Sequence, residues 1–312
     1  MDYIRPGWLF NKHLETVYPA VFRKVVLPQP KRERIITPDQ DFLDLDWFVN
    51  RSNRLIIISH GLEGNSKRGY VLGMAKAFIA SGYDVLAWNF RGCSEELNLR
   101  PRFYHSGATD DLDTVVQHVQ KSARYQSVNL IGFSLGGNLT LKYLGEDFDS
   151  AKSIDKGVAI SVPLNLDTSC QEISKRENWL YELRFLRSLK SKVSKKAKYI
   201  TLPSIEKIKS INKLRDFDDL ITGPLHGFKD AVDYYSRCSS INFLEKIRTP
   251  TLIINALNDP FLSADCYPES ANKNLTLKYP EHGGHVGFTL FNEKNLYWSE
   301  IQALQFIAEI EI

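Results

Sequence analysis

Gly132-Phe133-Ser134-Leu135-Gly136 places a serine between two glycines, after an apolar run at 128–131 and at the head of a helix-length stretch, 135–144. A serine hydroxyl attacks a carbonyl best when it projects from a sharp strand-to-helix turn, which strains the backbone at the serine. Small residues two positions either side let strand and helix approach closely. The helix N-terminus offers free N–H groups to a developing oxyanion. Ser134 is therefore the candidate nucleophile. A bare G-x-S-x-G is common by chance; its position between a strand and a helix gives this one weight.

A serine is a weak nucleophile without a base. In chain order Ser, acid, His, the acid follows a late strand and the base lies in the next loop. The β-rich run 251–256 is followed by Leu257-Asn258-Asp259-Pro260, which makes Asp259 the candidate acid. Asp265 is the weaker choice because it lies deeper in the following segment. The next run, 275–279, ends at Pro280-Glu281-His282-Gly283-Gly284-His285-Val286-Gly287-Phe288. Two histidines compete there. His285 is preferred, since two glycines let its loop swing towards the nucleophile and Val286 and Phe288 can anchor it; His282 is read as structural. The oxyanion needs two backbone donors. One is the N–H of Leu135, directly after the nucleophile. The other is the N–H of Leu62, in the turn His60-Gly61-Leu62 after the strand-like run 55–59. His60 and His105 read as structural, His13 and His226 have no partners at metal-ligand spacing, and Cys93 reads as a packed thiol. No P-loop or G-x-G-x-x-G is present, so nucleotide binding has no support, and the chemistry calls for no metal or organic cofactor.

Such residues need a scaffold. Strand-like runs at 55–59, 84–88, 128–132, 157–162, 251–256 and 275–279 alternate with helix-like stretches at 67–80, 109–124, 135–144 and 295–310. That alternation predicts an α/β fold with a mostly parallel central sheet flanked by helices. Between Val162 and Pro250 it stops. Residues 163–245 are expected to form a helical lid over the carboxyl ends of the strands. Residues 1–162 and 246–312 are then the core, with 1–30 as an N-terminal extension. The middle of the lid is basic: residues 184–215 hold eleven lysines and arginines against Glu206 alone, with Lys190, Lys192, Lys195, Lys196 and Lys198 close together.

Of the 312 residues, 43% are hydrophobic and 25% charged, a globular composition with chain enough for a large core. A net charge of +3 gives no global field for nucleic acid. Aromatic side chains are sparse in the basic stretch, Phe185 and Tyr199 only, so nucleic-acid binding is not expected there. Four cysteines without metal-ligand spacing fit a reduced cytoplasm. The N-terminal residues lack the apolar core of a signal peptide, and no apolar run is long enough to span a bilayer.

Several segments together resemble the YheT-like branch of the α/β-hydrolases, which also holds eukaryotic lipid hydrolases and yeast medium-chain ester synthases. The likeness runs nearly end to end. Asn11-Lys12-His13-Leu14-Glu15-Thr16-Val17-Tyr18-Pro19 is similar to the branch's N-x-H-x-Q-T-x-Y-P, with Glu15 where glutamine is usual. Asn89-Phe90-Arg91-Gly92-Cys93-Ser94, Tyr104-His105-Ser106-Gly107, Phe217-Asp218-Asp219, Gly227-Phe228 and Tyr234-Tyr235 are similar too. So are the serine segment and the stretch from Asn255 to Phe261, in which Asn258 stands where the branch often has aspartate. The resemblance implies the α/β-hydrolase fold, Ser134, Asp259 and His285 as triad, and hydrolysis of carboxylic esters of short to medium acyl chains, with no cofactor. Acyl transfer to an alcohol and a non-catalytic binding role on the same fold are the rival readings. The expected partner is a small-molecule or lipid ester. Trp179, Leu180, Leu183, Phe185, Leu186 and Leu189 beside the lysines also suit weak peripheral contact with anionic membrane.

Overall fold

The computed structural model describes residues 2–196 and 204–310; Lys198 and Tyr199 of the basic stretch lie outside them. An N-terminal helix α1 (Lys12–Phe22) precedes strands β1 (Lys31–Ile36), β2 (Phe42–Phe48) and β3 (Arg54–Ser59). There follow α2 (Gly69–Ala80), β4 (Asp84–Asn89), α3 (Thr109–Lys121), β5 (Ser127–Phe133), α4 (Leu135–Gly145) and β6 (Lys156–Ile160). Next come α5 (Leu166–Ile173), the long α6 (Trp179–Lys196), α7 (Ile205–Ser210), and the short turns α8 (Leu214–Phe217) and α9 (Gly223–Leu225), then α10 (Ala231–Cys238). Strands β7 (Thr251–Ile254) and β8 (Leu275–Lys278) and helix α11 (Trp298–Ala308) complete the order.

Among the described residues the strands form one eight-stranded sheet in the order β1-β2-β4-β3-β5-β6-β7-β8. Only β2 runs against its neighbours; every other pairing is parallel. The inner strands read Val, Ile and Leu almost without interruption because helices cover both faces. One apolar cluster lies under α3 and α4, around Leu112, Val116 and Leu139. The other lies under α2 and α11, around Met74, Phe78 and Leu304.

Helix α1 and strands β1 and β2 were not anticipated from the sequence, and the reason is physical. β1 is a charged edge strand, Lys-Arg-Glu-Arg-Ile-Ile, and β2 carries Asp44 and Asp46 at buried positions. Those acids are held by the arginines directly opposite them in register. Arg32 meets Asp46 at 2.8 and 2.7 Å, and Arg34 meets Asp44 at 2.8 and 3.0 Å. Cross-strand bidentate pairs replace the apolar alternation by which a strand is usually read. Other boundaries move by a few residues. The strand expected over 157–162 ends at Ile160, because Ser161 takes a left-handed φ of +54°. The helix expected from 295 begins at Trp298, where Glu300 and Tyr297 form a reciprocal cap.

Residues between β6 and β7 fold as helices with an apolar cluster of their own, including Leu186, Val193, Ile208, Leu214, Phe217 and Tyr235. Leu244, next to the expected boundary at 245–246, packs in the main core instead.

Candidate active site

Ser134 sits at the junction of β5 and α4 with φ +53° and ψ −119°. A non-glycine residue in that region costs about 1–3 kcal/mol, and the surrounding structure must enforce it. It does so through close approach: a Cβ at Gly132 would lie 2.2 Å from the Gly136 carbonyl oxygen, and one at Gly136 would lie 2.4 Å from the His60 carbonyl oxygen. Neither site tolerates a side chain, as expected for the glycines flanking the serine.

His285 Nε2 lies 2.9 Å from Ser134 Oγ, and its Nδ1 lies 2.8 Å from Asp259 Oδ2. The imidazole thus fits the tautomer in which Nδ1–H donates to the carboxylate and Nε2 accepts from the serine hydroxyl. The other oxygen of Asp259 accepts from the Phe261 N–H at 2.9 Å, and the carboxylate is buried. The Phe261 ring packs 4.4 Å from the imidazole. The structure therefore brings Ser134, Asp259 and His285 into one relay. It leaves the competitors out. Asp265 accepts from Asn165 on the exterior, and among the described residues the polar partner of His282 is Glu281, at 3.7 Å.

The turn after β3 passes against the nucleophile; a Cβ on Gly61 would lie 3.2 Å from Ser134 Cβ. The Gly61 N–H is already occupied, donating to Tyr70 Oη at 3.0 Å. Among the described residues, the Leu62 and Leu135 amides have no acceptor. These are the two donors expected from the sequence. His60 is buried, its Nε2 accepting from Phe90 N–H at 3.2 Å and its Nδ1 facing Gly61 O at 2.8 Å. Burial lowers its pKa to about 3, so it stays neutral and braces the turn. His105 is likewise buried and packs against His226 and Tyr234. The Cys93 thiol is buried, and burial pushes its pKa up to about 11.

The residues that hold the histidine loop carried no sequence signal of their own. Thr16 Oγ1, on α1, accepts the His285 N–H at 2.9 Å. Glu15, fully buried beside it, accepts from the Gly283 N–H at 2.5 Å, from Asn258 Nδ2 at 3.0 Å and from Arg5 at 3.1 Å. Asn258 Oδ1 takes the Gly284 N–H at 3.0 Å, and Ser161 Oγ takes the Val286 N–H at 2.9 Å. Gly284 has φ +56°, and a Cβ there would lie 2.8 Å from Thr16 Oγ1. Glycine is required because α1 presses on the loop. Residues 1–30 are thus more than an extension: they contribute part of the frame of the site. The Asn11-to-Pro19 segment was noted for its resemblance alone, which gave it no role.

Two cavities meet at Ser134 and Leu62. One, about 220 Å³, opens between α1 and α6 past Val17, Val21, Arg184 and Phe185. The other, about 120 Å³, runs under the helices between β6 and β7, between Leu135, Leu166, Cys170, Leu214 and Tyr234.

The basic stretch is not arranged as a uniform cationic face. Lys192 is largely buried and donates to Glu63 at 2.6 Å. Lys196 is buried and donates to Asn98 Oδ1 at 2.7 Å and to the Arg100 carbonyl. Lys190 donates to the Lys209 and Ile211 carbonyls. Of the five lysines expected to face a membrane, those three are committed to the protein, Lys195 is exposed, and Lys198 lies outside the described residues. Sequence spacing gives no account of this, because a lysine stem bends to whichever carbonyl or carboxylate is in reach.

Comparison with known proteins places this architecture. Residues 54–290 match the family model described as the alpha/beta hydrolase fold. A candidate esterase of Escherichia coli (strain K12), YheT, is 37% identical over 287 residues, covering 89% of this chain and 84% of that one. The phospholipase ABHD3 of Homo sapiens is 31% identical over 305 residues, covering 88% and 74%. Among solved structures, the Pyrococcus furiosus esterase Pf2001 superposes with a TM-score of 0.62 at 20% identity, covering 92% of this chain and 96% of that one. The chain belongs to the α/β-hydrolase fold family and, within it, to the YheT-like branch.

Proposed function

We propose that the protein is a serine esterase that cleaves carboxylic esters of short to medium acyl chain through an acyl-enzyme intermediate. The observation that carries this reading is the relay from Ser134 Oγ through His285 to Asp259, at 2.9 and 2.8 Å. The names of the relatives, esterase and phospholipase, support it. His285 takes the Ser134 proton as Oγ attacks the ester carbonyl. The Leu62 and Leu135 N–H groups receive the oxyanion. His285 then protonates the leaving alcohol, and water activated by the same imidazole releases the acid. Asp259 holds the tautomer and stabilises the imidazolium. The smaller cavity suits a short acyl chain, and the larger one suits the alcohol portion. Residues 163–245 act as the lid over both.

Ser134→Ala tests the reading. It is expected to abolish p-nitrophenyl ester turnover and fluorophosphonate labelling while circular dichroism stays unchanged. Labelling that persists in the variant would refute Ser134 as nucleophile, and absence of labelling in the wild type would favour a binding role. Competing ethanol or glycerol separates hydrolysis from acyl transfer by the products formed.

The buried, unpaired state of the four cysteines supports a reduced compartment such as the cytoplasm. Among the described residues, no helix is long and apolar enough to cross a membrane. Contact with lipid would be peripheral. The exposed apolar side chains beside the larger cavity, on α1 and α6, support such contact better than the lysines do.

A further inference from the structure

Glu63 directly follows Leu62 in the oxyanion turn, and its backbone is left-handed, with φ +52°. Its side chain is nearly buried. The carboxylate accepts from Lys192 Nζ at 2.6 Å and from Tyr104 Oη at 2.7 Å, and also from Ser188 Oγ. The Glu63 N–H donates to the same Tyr104 Oη at 2.9 Å, and its carbonyl accepts from Arg68 at 2.8 Å. Ser188 and Lys192 lie one helical turn apart on α6, so both reach the carboxylate from one face. Every polar group of Glu63 is engaged, and two of the donors to its carboxylate belong to the lid helix.

Burying a carboxylate is costly unless it is paired and fully hydrogen-bonded, and a hydrophobic packing contact would have joined lid to turn without that cost. What charge and direction add is a fixed orientation. The peptide that carries the Leu62 N–H is separated from Glu63 Cα by a single residue's dihedrals. Donors that aim at an oxyanion work because they are already aimed when charge develops.

We propose that Glu63 is a positioning residue: its carboxylate bolts the oxyanion turn to helix α6, so the Leu62 amide takes its working orientation only while the lid is docked. The inference rests on the esterase reading above. It assigns a role to the acid of the His60-Gly61-Leu62-Glu63-Gly64 turn and to two lid residues that touch no reacting atom.

The test compares wild type with Glu63→Gln, Ser188→Ala, Lys192→Met and the Glu63→Gln/Lys192→Met pair. The readouts are kcat and KM on p-nitrophenyl butyrate, the melting temperature, and Ki for an aryl trifluoromethyl ketone. With that inhibitor Ser134 Oγ bonds to the ketone carbon, the serine proton moves to His285, and the carbonyl π pair becomes an oxyanion, so Ki reports the hole directly. Glu63→Gln and Lys192→Met should lower kcat about 10- to 100-fold with KM nearly unchanged, less than the ~10²–10³ for outright loss of a donor. Ki should rise in proportion to the loss in kcat/KM. The double variant should be little worse than either single, because both break the same tie. Ser188→Ala removes one hydrogen bond and should show a smaller loss of the same kind, about 3- to 10-fold. It carries the test if Glu63→Gln or Lys192→Met fails to fold. Folded variants with kcat and Ki within about twofold of wild type, or a lowered melting temperature alone, would overturn the inference and leave the esterase reading standing. A Ser134→Ala protein as active as wild type would overturn both.

Discussion

Asp259 offers its two oxygens to different partners, one to the imidazole and one to the Phe261 amide, so its direction is set from both sides. Asp259→Asn keeps the shape but favours the wrong histidine tautomer. Turnover is expected to fall about 10⁴-fold, with little change in melting temperature. Asp265→Asn should leave turnover close to wild type, as should His282→Ala; His285→Ala should be nearly inactive. If Asp265→Asn or His282→Ala is the damaging change, the acid or base is assigned wrongly. The three triad candidates could be read from sequence because the chemistry fixes residue type, chain order and the element each one follows. Thr16 and Glu15 could not. They meet the histidine loop across 269 and 268 residues of chain, through contacts to backbone N–H groups that any non-proline residue in the loop would offer.

At the scale of elements, α1 acts as a brace between the acid loop and the histidine loop, and its key contact is polar in a definite sense. Glu15 accepts and Asn258 donates, at 3.0 Å. These are the two positions at which the sequence departs from the branch's pattern of glutamine and aspartate, so amide and carboxylate have exchanged places across one hydrogen bond. Asn258→Asp alone would set two carboxylates against each other in a buried site, and kcat is expected to fall about 100-fold as the loops separate. Glu15→Gln alone should cost less. The double variant should recover most of the loss, and a coupling energy near zero in that cycle would show that the pair does not act as a unit. The carboxylate of the oxyanion turn makes a separate prediction. Burial would raise the Glu63 pKa, but the Lys192 ammonium and the hydrogen bonds outweigh it and hold the carboxyl below its ordinary 4.5. A carboxylate with a depressed pKa stabilises the fold above its unfolded value, and that contribution is lost as pH falls through the folded value. Urea midpoints from about pH 7 to about pH 3 should therefore drop more steeply below pH ~4.5 in wild type than in Glu63→Gln. Equal slopes would mean that Glu63 is not charged in the fold. The strands around the serine were legible from apolar runs, though their order in the sheet was not; β1 and β2 were not legible, since paired arginines and aspartates fill positions that such reading treats as surface.

At the scale of the whole molecule, the larger cavity emerges among exposed apolar side chains. Leu14, Val17, Val21 and Phe22 lie on α1, and Trp179, Leu180 and Leu183 on α6, all at least 36% exposed. His13–Tyr181 at 3.2 Å joins the two helices beside the opening, and Lys12–Glu177 at 2.7 Å ties α1 to the turn just before α6. Trp8 and Phe291 extend the α1 side by packing around Tyr18. Nearby cations without a partner among the described residues include Arg184 and Arg187 on α6, with Lys195 a few turns on. Magnitudes decide which set would govern attachment to lipid. An exposed cation near an anionic surface contributes about 1 kcal/mol at ordinary salt. Full burial of a large aliphatic or aromatic side chain contributes about 1.5–3 kcal/mol, and half of that over several residues exceeds three cations. Co-sedimentation with phosphatidylcholine vesicles, with and without phosphatidylglycerol, separates the two contributions. Wild type should pellet with both, more with the anionic vesicles, and the excess alone should vanish as salt rises. A Phe22→Glu/Leu180→Glu/Leu183→Glu variant, at exposed positions outside the two cavities, should lose pelleting with both while keeping turnover of water-soluble p-nitrophenyl butyrate. Arg184→Gln/Arg187→Gln/Lys195→Gln should lose only the salt-sensitive excess. Binding abolished by the second variant and untouched by the first would make the cations the attachment site after all. No pelleting by wild type on either vesicle would show that the apolar rim meets its substrate one molecule at a time.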